Sequence, residues 1–193
     1  KQKEFIETII RNRKNFLVIG STGSGKTTFV NACLQQISTS ERAVIVEDTS
    51  ELMVPNTLST KILTRKDSHG LLSVIDLSVL IREALRMRPD RIVLGEVRGP
   101  EAKDLLLALS TGHEGSIGTL HAQNASEALI RLEMLIQLGA PQWSLESIRR
   151  LIYLSLNYIF TISRNDKGER RLSHIHRLSG MESFGLLLEE VKL

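Results

Sequence analysis

Apolar residues follow two alternating patterns along the chain. Short runs of consecutive apolar residues, typical of strands buried on both faces of a parallel sheet, are separated by longer stretches in which apolar residues recur at helical spacing. This alternation predicts an α/β fold with a mostly parallel central sheet flanked by helices. The predicted buried strands are 16–19, 43–46, 92–94 and 116–120. The predicted helices are 1–13, 27–37, 77–85, 101–110, 126–138 and 145–156.

The C-terminal part of the chain has a different pattern. Segments 158–163 and 172–178 are strand-like and flank the turn-forming residues 165–168, so they predict an antiparallel hairpin. Segment 184–191 is compatible with a further strand, and 61–63 is a shorter candidate earlier in the chain. We therefore expect a region of antiparallel pairing at the C-terminal end of an otherwise parallel sheet.

A glycine-rich segment, 20–28, follows the first predicted strand and opens a helix. Its sequence, Gly-Ser-Thr-Gly-Ser-Gly-Lys-Thr-Thr, fits the pattern G-x-x-x-x-G-K-[ST] in the strand, loop and helix context that phosphate binding requires. Backbone N–H groups of such a loop and the helix dipole attract phosphate, Lys26 can reach the β- and γ-phosphates, and the Thr27 hydroxyl can coordinate Mg²⁺. We predict a nucleoside triphosphate site formed by Ser21, Thr22, Gly23, Ser24, Gly25, Lys26, Thr27 and Thr28.

Titratable side chains follow the other buried strands where each one ends. Glu47 and Asp48 come after the second strand, Glu96 after the third and His121 after the fourth. Because the carboxyl ends of parallel strands lie at one edge of a sheet, these groups are expected beside the phosphate loop. A single histidine or glutamate at a strand end is usually structural, but their joint placement favours a role in hydrolysis. Glu96 or Glu47 would act on water, directly or through Mg²⁺, and His121 would stabilise or report the γ-phosphate.

Length, charge and cysteine content narrow the class of protein. At 193 residues the chain is too short for two full domains, so we expect a single domain over 1–193, with its core at 14–140 and helices and a hairpin at 141–193. The net charge of +3 is small and dispersed and does not indicate a nucleic-acid partner, although it does not exclude one. Cys33 is the only cysteine, which excludes an intramolecular disulfide and favours a reducing compartment. No run of residues predicts a membrane span.

Four motifs in this order resemble those of the traffic ATPases of type II and type IV secretion, conjugation and pilus assembly. Segment 20–28 resembles their Walker A loop and 45–51 their aspartate box. Segment 85–102 is similar to their Walker B region, including Gly95 where most nucleotide-binding proteins have an aspartate. Residues 111–122 resemble their histidine box, with Thr-Gly-His-Glu-Gly-Ser followed by Thr-Leu-His-Ala. The four motifs cover most of 16–135, and they are closest to the conjugation, type IV secretion and Flp/Tad pilus branches.

The resemblance implies a RecA-like P-loop NTPase that hydrolyses ATP with Mg²⁺. In that family Lys26 would hold phosphates, Glu96 would be the Walker B glutamate and with Thr27 would hold the metal, Glu47 would be a general base and His121 a coupling residue. The family works as homohexameric rings at the cytoplasmic face of a bacterial inner membrane, with secretion or pilus assembly proteins as partners. Its members also carry an N-terminal domain that closes over the nucleotide; none precedes residue 1 here, so we expect slow hydrolysis by this chain alone.

Arginines near phosphate or at subunit contacts are a further feature of that family. Arg65, Arg82 and Arg98 fall at corresponding places, in cis or in trans. From the residues alone, Arg82, Arg86 and Arg88 are most simply a solvated basic face, and a contact with phosphate here or across a subunit boundary is the alternative.

Two other functions remain compatible with the sequence. One is a RecA-fold helicase or DNA-translocating ATPase, and the other is a non-catalytic module that senses ATP and assembles. A GTPase is disfavoured because no Asn-Lys-x-Asp segment is present, and a transporter cassette because 178–181 is a poor match to Leu-Ser-Gly-Gly and lies in the tail.

Overall fold

The computed structural model describes residues 1–66, 72–165, 167–182 and 184–193, and within them it contains eight strands and six helices. The strands are β1 (Phe16–Ile19), β2 (Ala43–Glu47), β3 (Thr60–Leu63), β4 (Arg91–Val97), β5 (Ile117–Leu120), β6 (Tyr158–Arg164), β7 (Arg170–Glu182) and β8 (Gly185–Glu190). The helices are α1 (Gln2–Arg11), α2 (Lys26–Leu34), α3 (Leu77–Arg86), α4 (Glu101–Ser110), α5 (Ala125–Gly139) and α6 (Leu145–Ser155).

All eight strands form one sheet in the order β3-β2-β4-β5-β1-β6-β7-β8. Six neighbouring strands are mutually parallel: β3, β2, β4, β5, β1 and β6. The sheet continues beyond β6 with β7 and β8, which pair antiparallel. The prediction of a mostly parallel α/β sheet with antiparallel C-terminal strands is thus confirmed. The phosphate loop leaves β1, which has β5 on one side and β6 on the other.

Strand β6 has a second role that the sequence did not predict. It was predicted only as one arm of a hairpin, and it does pair with β7, but it also pairs in parallel with β1. The hairpin has a local signal in the turn at 165–168, of which residue 166 lies outside the described residues. A parallel partner far away in sequence leaves no local signal, because the crossover between the two strands can have any of many lengths.

Both faces of the sheet are covered by helices, as the uninterrupted apolar strands require. Phe16 and Val18 of β1 pack in a cluster with buried residues of α1 and α2, whereas Leu17 and Ile19 pack with those of α3 to α6. All four residues of β1 are buried. Cys33 belongs to the first of these clusters, and burial raises the pKa of its thiol to about 12, so it is a core residue as its position in a predicted helix suggested.

Strand β4 is longer than its apolar run. The prediction of 92–94 stopped where Gly95 and Glu96 interrupt that run, but the strand extends to Val97. Its pairing with β5 shifts register between Leu94 and Val97. Such an irregularity changes the direction of nearby side chains. Because β4 extends to Val97, Glu96 lies within the strand rather than after it.

Three of the described helices begin at a residue whose side chain caps the first turn. Asp76 caps α3, because its Oδ1 accepts a hydrogen bond from the Val79 backbone N–H at 2.8 Å. Asn124 and Ser144 cap α5 and α6 in the same way. Among the described residues no helix is both long enough and apolar enough to cross a membrane.

A buried arginine joins three segments at the edge of the sheet opposite the phosphate loop. Arg91 is 1% exposed; its Nε donates to Glu41 Oε2 at 2.5 Å and its Nη2 to the Ile10 carbonyl at 2.8 Å. Glu41 Oε1 also accepts from Arg13 Nε at 3.0 Å. Burial of the Glu41 carboxyl favours its neutral form, but the hydrogen bonds and charges of Arg91 and Arg13 outweigh burial and hold its pKa below the ordinary value. The Glu41 carboxylate is therefore a stabilising anion.

We expect Glu41→Gln to lower the free energy of unfolding at pH 7 by about 1.5–3 kcal/mol, the usual contribution of a hydrogen bond to a charged group. Because the folded pKa of Glu41 is depressed, its contribution is present above the ordinary carboxyl pKa of about 4.3 and is lost as pH falls through the lower folded pKa. Urea unfolding from pH 7 to pH 3 should thus show a shallower acid loss in the variant than in the parent chain.

Glu189→Gln is the matched control, because Glu189 pairs with Arg177 on the surface, where both side chains are more than half exposed. An exposed pair contributes only about 0–1 kcal/mol. Equal stability of Glu41→Gln and the parent at pH 7, or parallel pH profiles, would contradict the role of Glu41.

Candidate functional site

The loop between β1 and α2 bends through a conformation that favours glycine. Gly25, the residue before α2, has φ 102° and ψ 20°, in the left-handed region. A Cβ at this position would also lie 2.8 Å from Arg170 Cδ. The N-cap of α2 is Gly25, which has no side chain to cap the helix, so the N–H groups of the first turn remain available to an anion.

Lys26 is the cation at the centre of this loop. Its side chain is 9% exposed, and its Nζ donates to the backbone carbonyls of Gly20 at 2.9 Å and Ser21 at 3.0 Å. Within the described chain no carboxylate forms an ion pair with it. Burial lowers the pKa of Lys26 despite the opposing charges of Glu96 and Glu51. A negatively charged group bound beside Nζ would therefore stabilise the positive charge of Lys26 more than the two neutral carbonyls do.

Glu47, at the end of β2, is 3% exposed and is held by backbone groups. Its Oε1 accepts hydrogen bonds from the N–H of Glu51 at 3.2 Å and of Leu52 at 3.0 Å. Its Oε2 accepts no hydrogen bond from the described residues, but it lies 3.5 Å from Lys61 Nζ on β3, within ion-pair distance. Glu47 thus fixes the path of the segment that follows β2.

Glu47 occupies the space that a side chain at position 95 would need, so a glycine fits there and an aspartate does not. A Cβ on Gly95 would lie 2.7 Å from Glu47 Cγ and 3.2 Å from its Oε1. These distances are shorter than carbon and oxygen atoms tolerate without displacement. The glycine that the sequence shows in the Walker B region is therefore explained by the neighbouring strand.

Glu96 and His121 form a contact that reaches Lys26. Glu96 Oε1 lies 2.8 Å from His121 Nε2, and Lys26 Nζ lies 3.4 Å from His121 Nδ1. Lys26 can only donate, so this network assigns the proton of a neutral His121 to Nε2, which donates to Glu96, and leaves the lone pair of Nδ1 facing Lys26. Both Glu96 and His121 are about one-third exposed, which leaves them open to the cleft.

Glu51 is a site residue that the sequence did not single out. Its Oε2 accepts a hydrogen bond from the Thr27 hydroxyl at 3.0 Å, so it contacts the predicted metal ligand. Glu51 lies within the segment that resembles the aspartate box, but it is four residues beyond Glu47, the end of β2, so its place in the sequence does not predict a contact with the phosphate loop. Its backbone hydrogen bond to Glu47 is what turns the chain back towards Thr27.

The predicted arginines are placed differently from one another. Arg98 lines the cleft and forms an ion pair with Asp48, whose other carboxylate oxygen accepts from Thr64 at 2.8 Å. Arg65 donates instead to the Ser73 carbonyl, at 3.0 Å and 3.2 Å. Arg82 is exposed on α3 and does not line the cleft. In the described chain, the structure thus brings Arg98 to the site and leaves Arg65 and Arg82 outside it.

These groups surround one cleft of about 490 Å³, a volume typical of small-molecule sites. Glu47, Glu96 and His121 line it together with six of the eight predicted loop residues, Thr22, Gly23, Gly25, Lys26, Thr27 and Thr28. The two other loop residues lie outside the lining: Ser24 is buried beneath the loop, and Ser21 contributes a carbonyl to Lys26.

A phosphate loop at the carboxyl edge of a parallel sheet, with a lysine opening the following helix, defines the class of P-loop nucleotide-binding domains. Residues 1–161 match the family described as "Type II/IV secretion system protein", and the chain belongs to that family. The resemblance of its four motifs is thereby confirmed.

Similar proteins come from conjugation and type IV secretion. A protein of Mycobacterium tuberculosis named for conjugal transfer is 41% identical over 170 residues, covering 88% of this chain and 48% of that protein. The type IV secretion system protein VirB11 of Bartonella quintana is 36% identical over 174 residues, covering 89% of this chain and 48% of that protein. The chain thus spans about half the length of these relatives.

One solved structure shows the same fold at useful sequence identity. The VirB11 ATPase from the Brucella suis type IV secretion system, crystallised with sulphate, superposes with a TM-score of 0.81 at 29% identity. The match covers 91% of this chain and 52% of that chain. The RecA-like secretion ATPase fold that the resemblance implied is confirmed.

We expect Gly95→Ala to destabilise the chain by about 1–3 kcal/mol, the usual cost of overpacking, because the added methyl group displaces Glu47. Chemical denaturation measures the loss. In a double-mutant cycle with Glu47→Ala, which removes the colliding atoms, Gly95→Ala should cost clearly less than in the parent. Additive effects of the two substitutions would show that Glu47 is not the reason for a glycine at this position.

Proposed function

We propose that this chain is the nucleotide-hydrolysing domain of a motor that powers type IV secretion, conjugative transfer or pilus assembly, and that it converts ATP to ADP and phosphate. The observation that carries the proposal is the contact from Lys26 through His121 to Glu96, beside an uncapped helix N-terminus. It links a cation suited to phosphate with a carboxylate suited to act on water. The relatives' association with secretion and conjugation supports the biological role.

The loop would bind the phosphates of ATP through its backbone and through Lys26. The N–H groups of the loop and of the first turn of α2 would donate to phosphate oxygens, and the helix dipole favours negative charge there. Lys26 would exchange its contacts with the Gly20 and Ser21 carbonyls for phosphate oxygens. Charge-assisted hydrogen bonds are the stronger kind, which favours this exchange.

The oxygen atoms around Thr27 fit Mg²⁺. The Thr27 hydroxyl, the Glu51 carboxylate in contact with it and the Glu96 carboxylate all line the cleft, and Mg²⁺ prefers such oxygen donors together with phosphate and water. When bound, Mg²⁺ supplies neutralisation of phosphate charge. Thr27 and Glu96 were the predicted ligands, and we add Glu51 as a group that orients the Thr27 hydroxyl.

The geometry favours Glu96 over Glu47 as the carboxylate that orients the attacking water and accepts its proton. Glu47 is 3% exposed, its Oε1 already accepts two backbone hydrogen bonds and its Oε2 faces Lys61, so it is less accessible to a water molecule than Glu96 is. Glu96 is open to the cleft and is oriented by the Nε2–H of His121. Since the other nitrogen of His121 faces Lys26, a shift of Lys26 onto phosphate would change the contact that holds Glu96. His121 would thus couple phosphate binding to the catalytic carboxylate.

We further propose that the working protein is a homohexameric ring at the cytoplasmic face of a bacterial inner membrane, with secretion or pilus assembly proteins as partners. Arg82 is exposed on α3 outside its own cleft, so it is available to a neighbouring subunit, whereas Arg98 is placed to act in its own. The relatives are about twice as long as this chain.

Lys26→Ala should weaken ATP binding by at least about a hundredfold, because two charged hydrogen bonds contribute about 1.5–3 kcal/mol each and about 1.4 kcal/mol corresponds to a factor of ten. Calorimetric titration with ATP and Mg²⁺ measures the affinity. The control is Lys14→Ala, which removes an exposed lysine before β1, at the other end of that strand, and should leave the affinity unchanged. Parent-like affinity of Lys26→Ala would rule out the phosphate-loop site.

Glu96→Gln should keep ATP bound and slow hydrolysis by about 10²–10⁴-fold, the range that general-base catalysis contributes. Glu47→Gln keeps an oxygen for the two backbone N–H groups and should slow hydrolysis much less. Single-turnover release of phosphate, with protein in excess of ATP, compares the two variants. A larger defect in Glu47→Gln than in Glu96→Gln would move the general base to Glu47.

A further inference from the structure

An arginine from the C-terminal hairpin lines the cleft, although nothing in the sequence motifs points to it. Arg170 is the first residue of β7 and lies beside the glycine loop. Its Cδ and Cγ would be 2.8 Å and 3.6 Å from a Cβ on Gly25. The aliphatic part of Arg170 therefore rests against the backbone of the last glycine before Lys26, and the missing Cβ of Gly25 makes this approach possible.

The guanidinium of Arg170 has no charge partner within the described chain. The adjacent acid, Glu169, accepts from Asn165 Nδ2 at 2.7 Å, and nearby Arg164 donates to the Gly168 carbonyl at 3.0 Å. The other arginine of the cleft, Arg98, is paired with Asp48. Among the described residues, Arg170 is thus the cleft arginine whose charge and N–H donors are uncommitted.

The pairing of β7 fixes the face of the sheet on which Arg170 lies. Side chains alternate along a strand, so Arg170 shares a face with Leu172, which packs against the cluster that includes α2. Arg171 lies on the opposite face. Arg170 pairs with Arg164, the last residue of β6, so it stands at the sheet edge where the phosphate loop begins.

The strand order also decides which part of a phosphate chain Arg170 can approach. Glu96 on β4 and His121 after β5 lie on one side of β1, and Arg170 on β7 lies on the other, beyond β6. In the proposed reaction the terminal phosphate faces Glu96. The phosphates nearer the nucleoside therefore lie towards Arg170.

We propose that Arg170 binds the α- and β-phosphates of the nucleotide in its own subunit, as a clamp on the side of the loop opposite Glu96. A guanidinium presents a planar set of N–H donors that matches phosphate oxygens. The opposing wall supplies carboxylates, an imidazole and Arg98, whose charge is paired with Asp48. The proposal rests on the proposed nucleotide site. Since ATP and ADP share the α- and β-phosphates, Arg170 would contribute to the affinity for both and not to the chemical step.

Arg170→Met tests the proposal, because it keeps an unbranched side chain against Gly25 and removes the charge. We expect its affinities for ATP and for ADP, measured by calorimetry with Mg²⁺, to fall by roughly tenfold each, as for the loss of a charge-assisted hydrogen bond. Arg170→Lys should lie between Arg170→Met and the parent. The single-turnover rate constant of bound ATP should stay within about twofold of the parent, since Arg170 is placed away from the reacting phosphate.

Arg171→Met is the matched control, because it removes the same charge from the next residue on the opposite face of the strand and should leave both affinities unchanged. The proposal is overturned if Arg170→Met binds ATP and ADP like the parent. It is equally overturned if Arg171→Met loses as much affinity, which would show a general charge effect, or if only ATP binding suffers, which would place Arg170 at the γ-phosphate.

The Lys26→Ala variant separates this inference from the proposed function. Loss of binding in Lys26→Ala with parent-like binding in Arg170→Met removes the clamp and leaves the nucleotide site intact. Parent-like binding in Lys26→Ala removes the nucleotide site itself. Arg170 is exposed, so a thermal melt of Arg170→Met that matches the parent confirms that a lost affinity does not arise from unfolding.

Discussion

The parallel pairing of β1 between β5 and β6 is the constraint on which the rest of the site depends. Strand β1 is buried on both faces and hydrogen-bonded along both sides, so its carboxyl end has little freedom. The phosphate loop starts from this fixed point and ends in a helix that packs back on the sheet. The same pairing brings the ends of β4 and β5 to one side of the loop and the hairpin of β6 and β7 to the other. A cleft with two chemically different walls follows from strand order alone.

Within that cleft the two glutamates differ in burial and in contacts: Glu47 is buried, whereas Glu96 is about one-third exposed. Glu47 crosses from β2 into the space above Gly95 and is held by backbone N–H groups and by the charge of Lys61. It shapes the segment that carries Glu51 to Thr27. Glu96 stays open to the cleft and contacts His121. The structure thus separates a carboxylate that is held by the backbone from one that is accessible in the cleft.

Much of the fold followed from the sequence because its signals were local. Four apolar runs and the glycine loop each depend on residues a few positions apart, and the structure agrees with them. The parallel pairing of β6 and the extension of β4 through Gly95 and Glu96 depend on distant partners and were missed. The same difference between local and distant signals applies to the residues of the site. The residues at strand tips were predictable, whereas Glu51 and Arg170 reach the cleft only through the path of a loop and the register of a hairpin.

The fit of Glu47 against Gly95 has a consequence for how this sequence can change over time. An aspartate at position 95 would meet an occupied volume unless the side chain at position 47 moved or became shorter. Loss of the Glu47 carboxylate would in turn remove the acceptor of the Glu51 and Leu52 N–H groups and the anion that faces Lys61. Which residue position 95 can accept therefore depends on the residue at position 47, and the two positions are sterically coupled.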